Sequence, residues 1–281
     1  MKSQAEKAEE FRALHHRGIL ILPNAWDVPS ARVFEDAGFP AVATTSAGMM
    51  VSLGYPDGQF IDKKELLAAV SRIAKVVKIP LSVDLVAGFG ETGEAVAGTV
   101  REVVKAGAIG INIEDFAHVT KKLYPVSAQV EKIKAIRELA RLLEVPIVIN
   151  ARTDAFRYAE GSDDARLEEA IRRGIAYRDA EADCVYPMGL VERGSISTFV
   201  KALRFPVNIM VRKGLPPVQE LEKLGVARVS FGPNASYAVM GLLKRIATEV
   251  LEKGTYQTLV EGAITYDELN SLASPKPSVS R

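Results

Sequence analysis

Short apolar segments rich in Val and Ile recur along the chain, separated by longer stretches of mixed polarity. Each segment is bounded by Gly, Pro or charged residues and is too short for a stable helix, so we interpret each as a buried strand. Their apolarity is continuous rather than alternating, which is typical of a parallel sheet covered on both faces. The segments are Ile19–Leu22, Ala41–Thr44, Leu81–Asp84, Ile109–Ile113, Ile147–Asn150, Asp183–Tyr186, Val207–Met210 and Arg228–Phe231.

The stretches between these segments carry the start signals of helices. Asp62 followed by Glu65 predicts a capping box at the start of a helix that continues to Val77. Ser127 is placed to cap a helix that has one apolar face. A further helix is predicted over Gln4–Arg17, ahead of the first strand.

This alternation predicts an α/β fold. Eight strand–helix units in about 250 residues are typical of a closed (β/α)8 TIM barrel. The alternative is a doubly wound sheet, but such sheets more often have about five to seven strands. No linker divides the chain, so residues 1–272 are expected to form one barrel domain with an N-terminal helix and extra C-terminal helices. Residues 273–281, rich in Pro and Ser, are expected to be disordered.

Composition and charge exclude several classes of protein. Hydrophobic residues make up 48% of the chain and charged residues 25%, and the net charge is +1. This balance gives no electrostatic reason to expect binding to nucleic acid or to an anionic membrane. The only cysteine, Cys184, excludes an internal disulfide. With no apolar N-terminal signal and no apolar run of about 18 residues, a cytoplasmic protein is expected.

Charged residues collect where neighbouring predicted strands end. Asp84 and Glu114 close adjacent strands, where two carboxylates can share one hard cation such as Mg²⁺, and Asp57 can join them from another loop. Arg152, one strand further round, offers a planar fork for a carboxylate or phosphonate. The alternative is that these charges only hydrate the barrel rim. Their occurrence on three successive strands favours a site.

The loop after the fourth strand carries a second group of polar residues. It contains His118, Lys121, Lys122 and Tyr124, and it is either a catalytic lid or a polar connection. Cys184, in an apolar strand, is interpreted as core packing rather than as a nucleophile.

Around these residues the chain resembles the isocitrate lyase/phosphoenolpyruvate mutase superfamily, from about Phe11 to about Leu251. The resemblance implies a barrel that uses Mg²⁺, with Mn²⁺ as an alternative, and acts on small 2-oxo or 2-hydroxy acids. The matching motifs are Pro23-Asn24-Ala25-Trp26-Asp27, Thr45-Ser46-Ala47-Gly48, Tyr55-Pro56-Asp57-Gly58, Asp84 with Gly88-Phe89-Gly90, Asn112-Ile113-Glu114-Asp115 and Asn150-Ala151-Arg152-Thr153-Asp154.

The resemblance also implies roles for individual residues. Asp84, Glu114 and Asp57 would hold the metal and its waters. Arg152 would grip an anionic group of the substrate, and His118, Lys121 and Tyr124 are the candidate catalytic residues of the loop. Substrate binding is assigned to Trp26, Thr45, Ser46, Ala47, Gly48 and Asn208.

Two departures from the superfamily pattern affect the expected chemistry. Members usually carry a second acid two residues after the aspartate of the third strand, where this chain has Val86. The lyase branch carries Lys-Lys-Cys-Gly-His in the loop after the fourth strand, whereas Phe116–Pro125 contains no cysteine. A true isocitrate or methylisocitrate lyase is therefore not expected.

Four functions remain open at this point. The first is a lyase that cleaves a C–C bond of a small 2-oxo acid, such as decarboxylation of an oxaloacetate-like substrate, which needs a metal but no thiol. The second is P–C chemistry, as a mutase or phosphonopyruvate hydrolase. The others are a barrel that binds a 2-oxo acid without turnover and, more remotely, a one-carbon transferase of the ketopantoate type.

The expected assembly is a homo-oligomer, a dimer or a tetramer. By resemblance, the C-terminal helices around Thr255–Leu272 should pack on, and possibly swap with, a neighbouring subunit. The segment is apolar enough to need a partner surface.

Overall fold

Parallel strands alternate with helices along the chain, which is described by a computed structural model over residues 2–273. The strands are β1 (Leu20–Leu22), β2 (Asn24–Ala25), β3 (Val42–Thr44), β4 (Leu81–Asp84), β5 (Gly110–Glu114), β6 (Phe116–Ala117), β7 (Lys122–Leu123), β8 (Val148–Thr153), β9 (Cys184–Pro187), β10 (Asn208–Met210) and β11 (Arg228–Ser230). The helices are α1 (Gln4–Leu14), α2 (Val28–Asp36), α3 (Ser46–Ser52), α4 (Lys63–Val76), α5 (Gly93–Lys105), α6 (Val126–Leu142), α7 (Ala155–Tyr158), α8 (Asp163–Asp179), α9 (Arg193–Leu203), α10 (Val218–Lys223), α11 (Asn234–Lys253), α12 (Gln257–Val260) and α13 (Tyr266–Ala273).

The first barrel strand is divided at Pro23, and this division helps to close the ring. β1 pairs in parallel with β11, whereas β2 pairs in parallel with β3. The order then runs through β4, β5, β8 and β9, and a bridge between Val185 and Val207 joins β9 to β10, which pairs with β11. The TIM barrel predicted from the sequence is therefore confirmed.

The capping of two helices, α4 and α6, differs from the prediction. Asp62 caps α4 as expected, but Glu65 accepts a hydrogen bond from the Tyr55 hydroxyl at 2.8 Å and closes no capping box. The predicted cap at Ser127 was wrong, because α6 begins one residue earlier. Pro125 precedes it with a φ of −53°, and proline fixes this torsion without help from a capping side chain.

Helix α1 closes the N-terminal end of the barrel. It is shorter than the predicted Gln4–Arg17, and its buried side chains Ala8 and Phe11 form one apolar cluster with Leu22 and Ala43 of the barrel. The opposite end, where the parallel strands finish, is left as the open face, which is where chemistry sits in this fold.

The C-terminal helices differ in how they contact the barrel. α11 is 20 residues long but buries only Ser236, and most of its large apolar side chains are exposed. Within the described chain, α13 contacts α2 and Leu272 is buried, while packing of Thr255–Leu272 on a neighbouring subunit stays a prediction. Ala273, the first residue of the predicted tail, is the last residue of α13, and residues 274–281 lie outside the described part of the chain. Within residues 2–273, no helix is both long and apolar enough to cross a membrane.

Candidate active site

A cavity of about 310 Å³ lies at the open end of the barrel. Most of the predicted site residues line it together, which confirms that the strand ends converge. They are Thr45, Ser46, Ala47, Asp57, Asp84, Glu114, His118, Arg152 and Asn208. Four predicted residues are not part of its lining in this conformation: Trp26, Gly48, Lys121 and Tyr124.

The parallel register explains this convergence. Asp84 is paired with Asn112, and Asn112 with Asn150, while Glu114 is paired with Arg152 one level higher. Successive residues of a strand point to opposite faces, so residues two apart share the face that looks into the barrel. The polar positions therefore form two levels: Asp84, Asn112 and Asn150 below, and Glu114 and Arg152 above.

The Asp84 carboxylate is oriented by neutral donors. Its Oδ2 accepts a hydrogen bond from Ser46 N at 3.0 Å, and its Oδ1 accepts one from Asn112 Nδ2 at 2.9 Å. No Lys, Arg or His of the described residues forms an ion pair with it. Asp84 is therefore an uncompensated carboxylate in the cavity.

Arg152 and Glu114 form an ion pair that is extended on both sides. Arg152 Nη1 lies 2.7 Å from Glu114 Oε2, and its Nε and Nη2 donate to the two oxygens of Asp154 at 2.6 and 2.9 Å. His118 Nε2 hydrogen-bonds the other Glu114 oxygen. Burial raises the pKa of Glu114 against the lowering effects of Arg152 and His118, and the hydrogen bond to Glu114 raises the pKa of His118. The imidazole is therefore biased toward its protonated form.

A fully buried carboxylate behind the site holds the strand that carries Arg152. Asp115 Oδ2 accepts hydrogen bonds from the Tyr177 hydroxyl at 2.6 Å and from Arg173 Nη1 at 2.9 Å. Its Oδ1 accepts one from Asp154 N at 2.8 Å. This network fixes the backbone of Asp154 and thereby the carboxylate that orients Arg152.

The loop between β3 and α3 is packed tightly against the barrel rim. A Cβ atom on Gly48 would lie 2.7 Å from Thr45 Cγ2 and 2.9 Å from Trp26 Cβ, so this position requires glycine. Trp26 therefore supports the loop from behind, and its assignment to substrate binding stays a prediction.

The loop after β5 folds into a small antiparallel hairpin of β6 and β7. His118 lies on its inner side, where it reaches Glu114. Lys121 is exposed, and the Tyr124 hydroxyl donates to the Glu91 carboxylate at 3.2 Å, outside the cavity. The geometry therefore supports a catalytic role for His118, whereas Lys121 and Tyr124 stay predictions without support from this conformation.

The donor set fits a hard divalent cation that is bound largely through water and substrate. No three His, Cys, Asp or Glu side chains converge on one point within the described chain, as a closed metal centre would require. Asp84 offers a carboxylate that has no ion-pair partner in the described chain, Asp57 is exposed at the cavity mouth, and Glu114 is engaged by Arg152 and His118. Mg²⁺ is often held by one or two carboxylates with several waters.

Val86, at the position where the resemblance implies a second acid, lies in the apolar core. It is 1% exposed and has a φ of 54°, which is rare for a β-branched residue. Its side chain does not line the cavity. The lost carboxylate is therefore replaced by core packing, not by another polar group.

Several cavity residues were not predicted as site residues from the sequence. Asp154 and Tyr186 flank Arg152, and Arg228 lines the cavity from β11. A sequence signal for such residues was present, because polar and apolar residues alternate inside some of the segments that appeared uniformly apolar. Polar residues recur at every second position, as in Arg228-Val229-Ser230 and Ser82-Val83-Asp84.

Comparison with known proteins agrees with this geometry. The family model described as phosphoenolpyruvate phosphomutase matches residues 11–251. The chain belongs to the isocitrate lyase/phosphoenolpyruvate mutase superfamily. Its relatives in this superfamily are enzymes and include lyases: the 2-methylisocitrate lyase of Bacillus subtilis is 30% identical over 279 residues, which cover 95% of this chain and 89% of the relative.

Solved structures of the superfamily share the fold over nearly the whole chain. A Burkholderia cenocepacia J2315 protein described as a lyase or mutase is 37% identical, with a TM-score of 0.89 and 97% of each chain covered. A phosphonopyruvate hydrolase solved with oxalate and Mg²⁺ is 25% identical, with a TM-score of 0.82 and 95% and 94% of the two chains covered.

Proposed function

We propose that this superfamily member is a Mg²⁺-dependent lyase-type enzyme that cleaves a C–C bond of a small 2-oxo or 2-hydroxy acid. Decarboxylation of an oxaloacetate-like substrate is the leading reaction. The observation that carries the proposal is one cavity that holds an uncompensated carboxylate, Asp84, together with a guanidinium, Arg152, already oriented by Glu114 and Asp154.

The metal would be centred on Asp84, with Asp57 and Glu114 acting through water. When bound there, Mg²⁺ would supply the positive charge that stabilises an enolate oxygen. Support comes from the donor set and from the hydrolase relative that was solved with Mg²⁺ and oxalate.

The chain's own residues account for the remaining requirements. Arg152 has donor capacity left after its bonds to Glu114 and Asp154, so it can bind a substrate carboxylate with a matching planar geometry. Loss of CO2 from a 2-oxo diacid leaves an enolate that must gain one proton at carbon. His118, held by Glu114 at the inner side of the loop, is placed to deliver that proton.

The chemistry of the only cysteine favours decarboxylation over cleavages that use a thiol acid. Cys184 is fully buried in β9, and burial raises the pKa of its thiol to about 12. It lines no part of the cavity. A decarboxylation needs no protein thiol, so the absence of cysteine from the loop after β5 is compatible with activity.

The decisive test is to incubate the protein with Mg²⁺ and a panel of 2-oxo, 2-hydroxy and phosphono acids and to follow the products by NMR. We expect CO2 release from an oxaloacetate-like acid, and no release in EDTA or with Asp84→Ala. Equal binding of oxalate in EDTA and in Mg²⁺ would contradict the metal assignment.

The phosphonopyruvate hydrolase relative supports a second candidate, P–C bond cleavage. Turnover of phosphonopyruvate but of no carboxylic substrate would select it. Binding without turnover of any acid in the panel would select a binding barrel instead.

A further inference from the structure

We propose that the cavity contains a second anion subsite, centred on Arg228, that takes a carboxylate group. This subsite goes beyond the proposed reaction, which requires only Asp84, Arg152 and the loop. Arg228 is the first residue of β11, in register with Asn208 of β10, and it lines the cavity although its side chain is almost fully enclosed, with 2% of the residue exposed. Both Nε and Nη1 are buried and have no hydrogen-bond partner in the described chain.

Arg228 differs from the other buried arginines of residues 2–273. Arg32 pairs with Glu35, Arg137 lies 2.6 Å from Asp183, and Arg173 lies 2.9 Å from Asp115. Each therefore has a carboxylate that compensates its buried charge. No carboxylate lies within ion-pair distance of Arg228 among the described residues.

The ionisable groups nearest to Arg228 do not supply the missing negative charge. Cys184 and Tyr186 are buried, and burial raises the pKa of both groups, so both are neutral near pH 7. Burial and Arg228 itself lower the pKa of His15 to about 3, which leaves that ring neutral as well. Asp84 is the remaining group, and it is oriented toward Ser46 and Asn112.

Water can satisfy the hydrogen bonds around Arg228 but cannot compensate its positive charge. Asn150 and Asn208 each have a buried Oδ1 without a partner, and waters can bridge these oxygens to the guanidinium. Arginine stays protonated in proteins, so its positive charge persists even though burial lowers its pKa. A guanidinium without a counterion is most simply completed by an anion that enters through the cavity.

The ligand class follows from the surroundings. A guanidinium presents its N–H groups in pairs, Nε with Nη2 and Nη1 with Nη2, and a planar carboxylate can accept both hydrogen bonds of either pair. Ser82, Asn208 and Ser230 also line the cavity and are neutral, so they do not repel an anion. The carboxylate can belong to a free monoacid or to the second acid group of a longer substrate.

The test is anion binding to metal-free protein in EDTA, measured by calorimetry with acetate, malonate and succinate at constant ionic strength. We expect Arg228→Met to weaken binding at least tenfold. The matched control is Arg212→Met, which removes an exposed arginine at the mouth of the same cavity and should change affinity less than threefold. Loss for all three acids would mean a site for a free carboxylate, and loss for malonate and succinate alone would mean a site that reads a second acid group; both support the proposal.

A measurement on the wild-type protein protects the test against a variant that does not fold. Crystals soaked in sodium bromide should show an anomalous peak beside the Arg228 guanidinium. Affinities that Arg228→Met leaves within twofold of the wild type, or bromide-soaked crystals without that peak, would overturn the subsite. Neither readout involves Mg²⁺ or turnover, so failure of the subsite and failure of the proposed reaction are distinguishable.

Discussion

At the scale of single residues, Arg152 has a fixed orientation before substrate binds, because Nε, Nη1 and Nη2 each contact a carboxylate oxygen of Asp154 or Glu114. Arg152→Lys keeps the charge but loses the paired hydrogen bonds to Asp154 and the planar fork. We expect kcat/KM on the best substrate to fall at least tenfold. Arg172→Lys, on the exposed face of α8, is the control and should retain activity. A kinetically silent Arg152→Lys would contradict its assignment as the substrate-binding cation.

The sequence and the structure lead to different predictions for Val86, because the sequence puts this position at the metal site and the structure puts its side chain in the core. Because its side chain is buried in the apolar cluster, Val86→Glu would bury a carboxylate without a cation partner. We expect the variant to lose about 1–3 kcal/mol or more of unfolding free energy, measured by urea denaturation, and to bind Mg²⁺ no more tightly. Val86→Ala is the control, since it loses packing but adds no charge. Tighter Mg²⁺ binding by Val86→Glu at unchanged stability would show that position 86 faces the metal.

At the scale of elements, the loop after β5 has an inner and an outer side. His118 reaches Glu114 from the inner side, whereas Lys121 is exposed on the outer side. We expect His118→Ala to lower kcat at least tenfold while oxalate binding stays within a few-fold of wild type, because the loop donates a proton but does not anchor the ligand. Lys121→Ala should leave kcat nearly unchanged. The reverse pattern in stopped-flow and binding assays would assign the proton donor to the outer side.

Helix α1 makes the stability of the protein depend on pH. His15, at its end, is buried, donates through Nδ1 to Phe11 O and has no partner at Nε2. Its pKa is lowered to about 3 in the folded state, whereas the unfolded chain binds the proton near pH 6.5. Stability should therefore fall with pH from about 6.5 toward 3, by up to about 1.4 kcal/mol per unit.

His15→Gln retains a donor for Phe11 O but cannot titrate. Compared with wild type, we expect it to lose less unfolding free energy between pH 7.5 and 5, measured by urea denaturation at both values. His16→Gln is the matched control, because His16 is exposed at the end of the same helix. Equal pH dependence in all three proteins would show that His15 does not carry the effect.

At the scale of the whole molecule, the barrel could be predicted because apolar segments and helix signals alternate so regularly. The closure of the barrel could not be predicted. No local sequence pattern shows that the first strand is divided at Pro23, so that β1 pairs with β11 and β2 pairs with β3. The site shows the same limit. Asp84, Glu114 and Arg152 were found because strand ends are identifiable in sequence, whereas Arg228 lies at a strand start. Its exposure to the cavity depends on the stagger between neighbouring strands, which pairing in three dimensions decides.

The surface of α11 predicts an assembly larger than one chain. This helix buries only Ser236, and it exposes Tyr237, Leu243 and Leu251 by 57%, 52% and 86%. Apolar residues that recur along one helix form a patch that water does not favour, and a second copy of the chain would cover it. We therefore expect a dimer or tetramer of the 30.5 kDa chain by light scattering. Leu243→Asp should shift it toward the monomer, whereas Leu142→Asp, at an exposed position on α6, should not. A monodisperse monomer of the wild type at micromolar concentration would contradict this prediction. It would show that the apolar surface of α11 stays exposed to solvent and that the C-terminal helices pack only on their own chain.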